Sequence, residues 1–168
     1  MVQPTIHIVD RFDVPWSGSA FSALALRELL LPSADVLLWS LSLPHENYQS
    51  HPIRQIDAGT GSLPQDGTLV IHGNHFELGD WVRKARARRV IVVCNVHWPL
   101  RLFDTVARLE EAGLPTPDIA FRSQILRDQA AMEGIIEPPL IDIKLFRPAN
   151  AGKERDFMIG RISRNILG

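Results

Sequence analysis

The chain has one cysteine, Cys94, so no internal disulfide can form. Cys94 closes the apolar run Val90-Ile91-Val92-Val93, where a buried thiol is expected. An excess of one charge sign is also missing: 18 Lys and Arg stand against 19 Asp and Glu, a formal net charge of −1. That gives no global attraction to nucleic acid or to an anionic membrane. No stretch reaches the ~18 consecutive apolar residues of a membrane span. The opening MVQPTIHIVDRF lacks the basic segment and apolar run of a secretory signal. A reducing, cytoplasmic setting is therefore expected. Repeats and low-complexity tracts are absent. So are G-x-G-x-x-G and the Walker P-loop. Without G-x-S-x-G, an α/β-hydrolase reading is poor. A cysteine inside a strand suggests no Cys–His nucleophile.

What is present is an alternation of elements. The apolar fraction, 45% of 168 residues, can fill a core, and one domain is the default. Thr5 to Asp10 reads as a strand, followed by a polar loop from Arg11 to Ser19 in which Ser17 or Ser19 can cap a helix. That helix, Ala20 to Leu31, is apolar nearly all round, so deep burial is expected, and Pro32 stops it. Strands are expected at Asp35 to Leu41, Arg54 to Asp57, Thr68 to His72, Val90 to Cys94 and Ile119 to Phe121. Helices are expected over Glu77 to Arg88, from Pro99 to Gly113, and over Gln124 to Glu133; in the first, Leu78, Trp81, Val82 and Ala85 fall at helical spacing. The strands are solid apolar runs, as in a sheet covered on both faces. Strand–helix alternation predicts a mainly parallel sheet in a three-layer, Rossmann-like α/β domain. Ligands in such sheets bind beyond the carboxyl ends of the strands. That selects the loops Asp10–Ser19, His72–Phe76, Asn95–Pro99 and Arg122–Ser123.

In the first of these loops, Ser17-Gly18-Ser19 opens a helix, where backbone N–H groups and the dipole suit a phosphate. The plainer reading is a tight turn with a serine cap. His72, His75 and His97 all fall at strand ends on the binding edge. His97 is the candidate general base or hydroxyl-binding group; as a trio they are also candidate zinc ligands, although no Cys or carboxylate completes a familiar set. Asp13, Asn74 and Ser123 lie on the same edge and, with His72 and His75, are candidate acceptor-side residues. Asp10 and Asp13 are too isolated to suggest a metal-binding carboxylate pair. The basic run around Arg83, Lys84 and Arg86 reads as a solvated face, or else as a contact for an acidic partner or the inner face of a membrane.

The order of elements and the tail of the chain resemble the acceptor-side, N-terminal half of a retaining GT-B glycosyltransferase of the family 4, or group 1, type. Phe121-Arg122-Ser123 resembles the last strand and serine of that half. Ile141-Asp142-Ile143-Lys144-Leu145-Phe146-Arg147-Pro148 resembles its connector, and Phe157-Met158-Ile159-Gly160-Arg161 the opening of the second domain. The resemblance implies a domain over 1–150, with 151–168 as linker and first strand of a C-terminal GT-B domain. It implies that Ser17, Gly18 and Ser19 close over the donor diphosphate, that Arg161 contacts the donor phosphates, and that His97 sits beside the transferred sugar as the catalytic histidine. A nucleotide-sugar would be the donor substrate, with no metal and no other cofactor, and the acceptor unspecified. The paired glycines usual in the first loop are reduced to Gly18, the lysine usual after Arg161 has no counterpart, and the Glu-x7-Glu motif of the second domain does not occur. This polypeptide alone is accordingly expected to be inactive. A standalone nucleotide- or sugar-phosphate-binding module and a His-based metal hydrolase are the alternatives.

Overall fold

The computed structural model describes residues 3–15, 17–96 and 99–137. In chain order these form β1 (Thr5–Asp10), α1 (Gly18–Leu30), β2 (Asp35–Ser40), β3 (Ile53–Gln55), β4 (Thr68–Ile71), β5 (Arg89–Cys94), α2 (Pro99–Glu111), β6 (Asp118–Phe121), α3 (Gln124–Ala130) and β7 (Ile135–Ile136). The strands make one seven-stranded sheet in the order β3-β2-β1-β4-β5-β6-β7. Every pairing is parallel. The fold is Rossmann-like α/β. The order reverses between β1 and β4, whose carboxyl ends therefore open a crevice.

Both faces are covered, which is why the strands are continuous apolar runs. On one face Ile8, Leu38, Val70, Val93 and Ala120 pack with Ala20, Ala23 and Leu24 of α1. On the other, Val9, Ile71, Val92 and Phe121 pack with Leu102 and Leu109 of α2 and Leu126 of α3. Each fully buried large side chain contributes about 1.5–3 kcal/mol. The amino edge carries one buried polar tie: Trp39 Nε1 donates to His7 Nδ1 at 3.0 Å, so His7 Nε2 carries the proton and donates to the Gln65 carbonyl at 3.1 Å.

Two sequence expectations fail. Residues 77–88 do not form a helix; the described backbone there makes a single 3-10 turn, Asp80–Arg83. Gly79, at φ 73° and ψ −175°, breaks the helical path. Past the turn, the Arg86 and Arg88 amides donate to the carbonyls of Pro64 and Gly67 instead of to the preceding turn. A run of like charges gives a helix nothing to offset that loss. Leu78, Trp81, Val82 and Ala85 are nonetheless buried, so the apolar positions were right and the backbone wrong. The second failure is α1. Only its sheet-facing side is buried; Phe21 is 47% exposed and Leu29 61%. The basic run lies at the amino edge, away from the crevice. Arg88 and Arg89 are paired there with Asp66 and Asp118 at 2.7 Å, leaving Arg83, Lys84 and Arg86 as its exposed remainder.

Candidate functional site

A strand's side chains alternate between faces, so the residue two beyond each apolar contact of α1 returns to the α1 side. Two beyond Leu38, Ile8, Val70, Val93 and Ala120 stand Ser40, Asp10, His72, Asn95 and Arg122. The carboxyl edge beneath the start of α1 is thus a polar row running across the sheet. Asp10, His72 and Ser40 in it are fully buried.

Its centre is a charged chain at the switch point. Asp10 Oδ2 accepts from His72 Nδ1 at 2.7 Å, and His72 Nε2 lies 2.7 Å from Arg122 Nη2. Guanidinium only donates, so His72 Nε2 holds a lone pair and the ring proton sits on Nδ1. Asp10 also accepts from the Arg11 amide at 2.6 Å and from Ser19 Oγ at 2.7 Å. Asn95 Nδ2 donates to the same serine oxygen at 3.0 Å. Burying such charges costs several kcal/mol unless each is paired or hydrogen-bonded; here Asp10 accepts three hydrogen bonds and Arg122 donates through Nη2, while Arg122 Nη1 is buried without a hydrogen bond. With both nitrogens of His72 engaged, that residue offers no lone pair to a metal. Among the described residues no group of three or more His, Cys, Asp or Glu is placed to hold an ion.

The chain fixes the first turn of α1. Ser17 is the cap: its hydroxyl accepts from the Ala20 amide at 3.4 Å, while its own amide donates to the Tyr48 hydroxyl at 3.1 Å. Ser19 is tied down through Asp10. Among the described residues the Gly18 and Ser19 amides have no acceptor, and a Cβ built on Gly18 meets nothing within 4 Å. The turn therefore presents open N–H donors at the positive end of a helix. The serine hydroxyls themselves are spent on structure.

At the same carboxyl edge, on the side of α2, which contributes Arg101, lies a cleft of about 320 Å³, lined also by Arg11, Asp13, Ser42, His75 and Glu77. Burial raises the Asp13 carboxyl, but hydrogen bonds from Arg11 and Ser42 outweigh it and hold the group below the usual carboxylate range. The same contact raises the Arg11 guanidinium. His75 is built into the wall. Its Nε2 is 3.8 Å from Asp10 Oδ1, its Nδ1 is 3.4 Å from Asn95 Oδ1, and its ring stands edge-on to Phe76 at 5.0 Å. It lies over Gly73, where a Cβ would fall 2.5 Å from Nδ1 and where φ is +140°. Burial pushes the His75 imidazole below its ordinary value against the opposing pull of Asp10.

The structure thus gathers Asp13, Ser17, Gly18, Ser19, His72 and His75 at one edge. Asn74 is there too, but inside: its Oδ1 accepts from the Asn95 and Val96 amides at 3.1 and 3.2 Å, shaping the turn after β5. Its Nδ2 is buried and unpartnered. Ser123 caps α3 by accepting from the Leu126 amide at 3.3 Å. His97, Arg161 and the two tail motifs lie outside the described residues. Sequence reasoning missed Asp10, Asn95 and Arg122 as individuals. Asp10, too isolated in the sequence to suggest a metal-binding carboxylate pair, is the hub of the candidate site through hydrogen bonds to partners such as His72, 62 residues away. The available signal was the strand-end rule itself, applied to every strand at once.

No protein-family model matches the chain, and no curated protein sequence matches it. Among solved structures, the S. aureus homoserine dehydrogenase crystal structure at pH 7.0 is similar at 15% identity and a TM-score of 0.36. That match covers 72% of this chain and 33% of the dehydrogenase, so the chain spans about a third of the protein it resembles. The fold assignment rests on the sheet topology itself.

Proposed function

We propose that this chain is the acceptor-side half of a retaining glycosyltransferase, which moves a sugar from a nucleotide-sugar to a hydroxyl-bearing acceptor. The observation that carries the reading is the first turn of α1, with the Gly18 and Ser19 amides open at the switch point of a parallel sheet. A donor diphosphate is the anion such a turn suits. As the sugar–phosphate bond breaks, negative charge grows on the leaving diphosphate, and fixed N–H donors stabilise it without reorganising. A cleft at the same edge supports the acceptor half of the reading. It is lined by the carboxylates Asp13 and Glu77 and the guanidinium groups Arg11 and Arg101, which accept from and donate to hydroxyls. The connector Ile141 to Pro148 and the Gly160-Arg161 pair add the family resemblance.

The test is titration of the protein with UDP- and GDP-sugars, read by amide chemical shifts. Shifts centred on Gly18 and Ser19 are expected. Gly18→Asp is the decisive variant. A carboxylate in the first turn favours the helix by about 0.3–1 kcal/mol, yet it repels a diphosphate. Unchanged or higher stability with binding at least about tenfold weaker, a difference of roughly 1.4 kcal/mol, supports the reading. Equal binding by Gly18→Asp, or shifts confined to the amino edge, refutes it. A standalone nucleotide-binding module rests on the same turn. Sugar transfer by the full-length gene product separates the two readings.

A further inference from the structure

In the sequence Arg122 is only the middle of Phe121-Arg122-Ser123, with no role of its own, yet it closes the buried chain. Its side chain is 10% exposed. From the end of β6 its Nη2 reaches His72 Nε2 at 2.7 Å and Ser22 Oγ, on α1, at 2.9 Å. Nη1 lies 3.4 Å from Glu137 Oε1 without hydrogen-bond geometry. Glu137 therefore balances the charge, while His72 and Ser22 set the direction of the guanidinium.

The consequence lies in the imidazole. A neutral histidine carries one ring proton, and its partners choose the nitrogen. Were the proton on Nε2, it would point at an Arg122 N–H, and Nδ1 would turn a lone pair toward the Asp10 carboxylate. Both contacts, at 2.7 Å, would become repulsive. We propose that Arg122 is the positioning residue of this edge: it holds from Nε2 the ring whose Nδ1 proton Asp10 holds, His72 so fixed orients Asp10, and Asp10 anchors Ser19 and with it the first turn of α1. The importance of that turn rests on the reading of it as the diphosphate site; the positioning itself does not.

The experiment uses the full chain with ¹⁵N-labelled histidine. Long-range proton–nitrogen spectra report the tautomer, and the His72 signals are those lost in His72→Gln. The wild type shows Nδ1–H alone. Arg122→Met keeps bulk but removes the donor. The Asp10 carboxylate still holds the proton on Nδ1, so Nε2 loses its hydrogen bond and its resonance moves to that of a free acceptor nitrogen; the Gly18 and Ser19 amide signals move with it, and UDP binding weakens at least about tenfold, roughly 1.4 kcal/mol. Arg122→Lys supplies an ammonium that can donate to Nε2, and restores both the Nε2 resonance and the amide signals. A folded Arg122→Met protein with unmoved Gly18 and Ser19 amides overturns the proposal. So does an Arg122→Lys protein whose Nε2 resonance stays at the free-acceptor position, and that variant decides the matter if the methionine variant fails to fold. If the wild type does not bind UDP, the diphosphate reading falls while the Nε2 and amide signals still decide the positioning role.

Discussion

Replacing Asp10 by asparagine preserves its shape and removes its charge. The two oxygens of Asp10 accept from the Arg11 amide at 2.6 Å, Ser19 Oγ at 2.7 Å and His72 Nδ1 at 2.7 Å. An amide group must turn its NH2 toward one side of that set. Turned toward Oδ1's place, it meets the Arg11 N–H; turned toward Oδ2's place, it meets the His72 N–H. Either orientation opposes donor to donor and loses a charge-assisted hydrogen bond, about 1.5–3 kcal/mol. At about 2–4 °C per kcal/mol for a domain of this size, the melting temperature should fall by roughly 3–12 °C. The assay is urea and thermal unfolding followed by circular dichroism at pH 7. Asp13→Asn is the control: Asp13 and Arg11 are 20% and 37% exposed, and such a pair is worth about 0–1 kcal/mol. If Asp10→Asn unfolds within about 1 kcal/mol of the wild type, or no more easily than Asp13→Asn, the buried chain is not ionic and the reasoning is wrong.

Gly73→Ala should push the His75 ring out of the cleft wall, because the new Cβ would stand 2.5 Å from Nδ1 at a φ of +140°; destabilisation of about 1–3 kcal/mol and displaced His75 signals are expected, and an unmoved ring refutes the packing. Burial lowers both His7 and His75 from 6.5 in the folded state. Their contribution is therefore complete above that value, and it declines as pH falls through it, since the unfolded chain takes up protons first. Urea midpoints should drop between neutral and mildly acidic pH, and a His7→Gln, His75→Gln protein should show a flatter profile. Burial raises the Cys94 thiol, so a disulfide reagent should react with it at the rate of unfolding; fast labelling of native protein would place it at the surface.

Much of the fold was legible because its signals are local. Solid β-branched runs such as Val90 to Val93 mark strands covered on both faces, and Pro99 marks a helix start. The stretch from Glu77 to Arg88 was misread because helical spacing of apolar residues also suits an irregular crossover that buries the same side chains. There the backbone amides found better acceptors at Pro64 and Gly67. For α1, an all-round apolar composition overstated burial, since composition does not say how many neighbours a helix will meet.

By itself, the sequence determined the alternation of elements, the parallel sheet and the edge on which a ligand site would form. These follow from local periodicity and from the connection rules of right-handed crossovers. Only the tertiary structure decided which strand ends meet. Strand order set β1 beside β4, and α1 was laid over the row, so Asp10, Ser19, His72, Asn95 and Arg122 became partners. Hydrogen bonds act over about 3 Å, and the sequence holds no record of distance between residues dozens of positions apart.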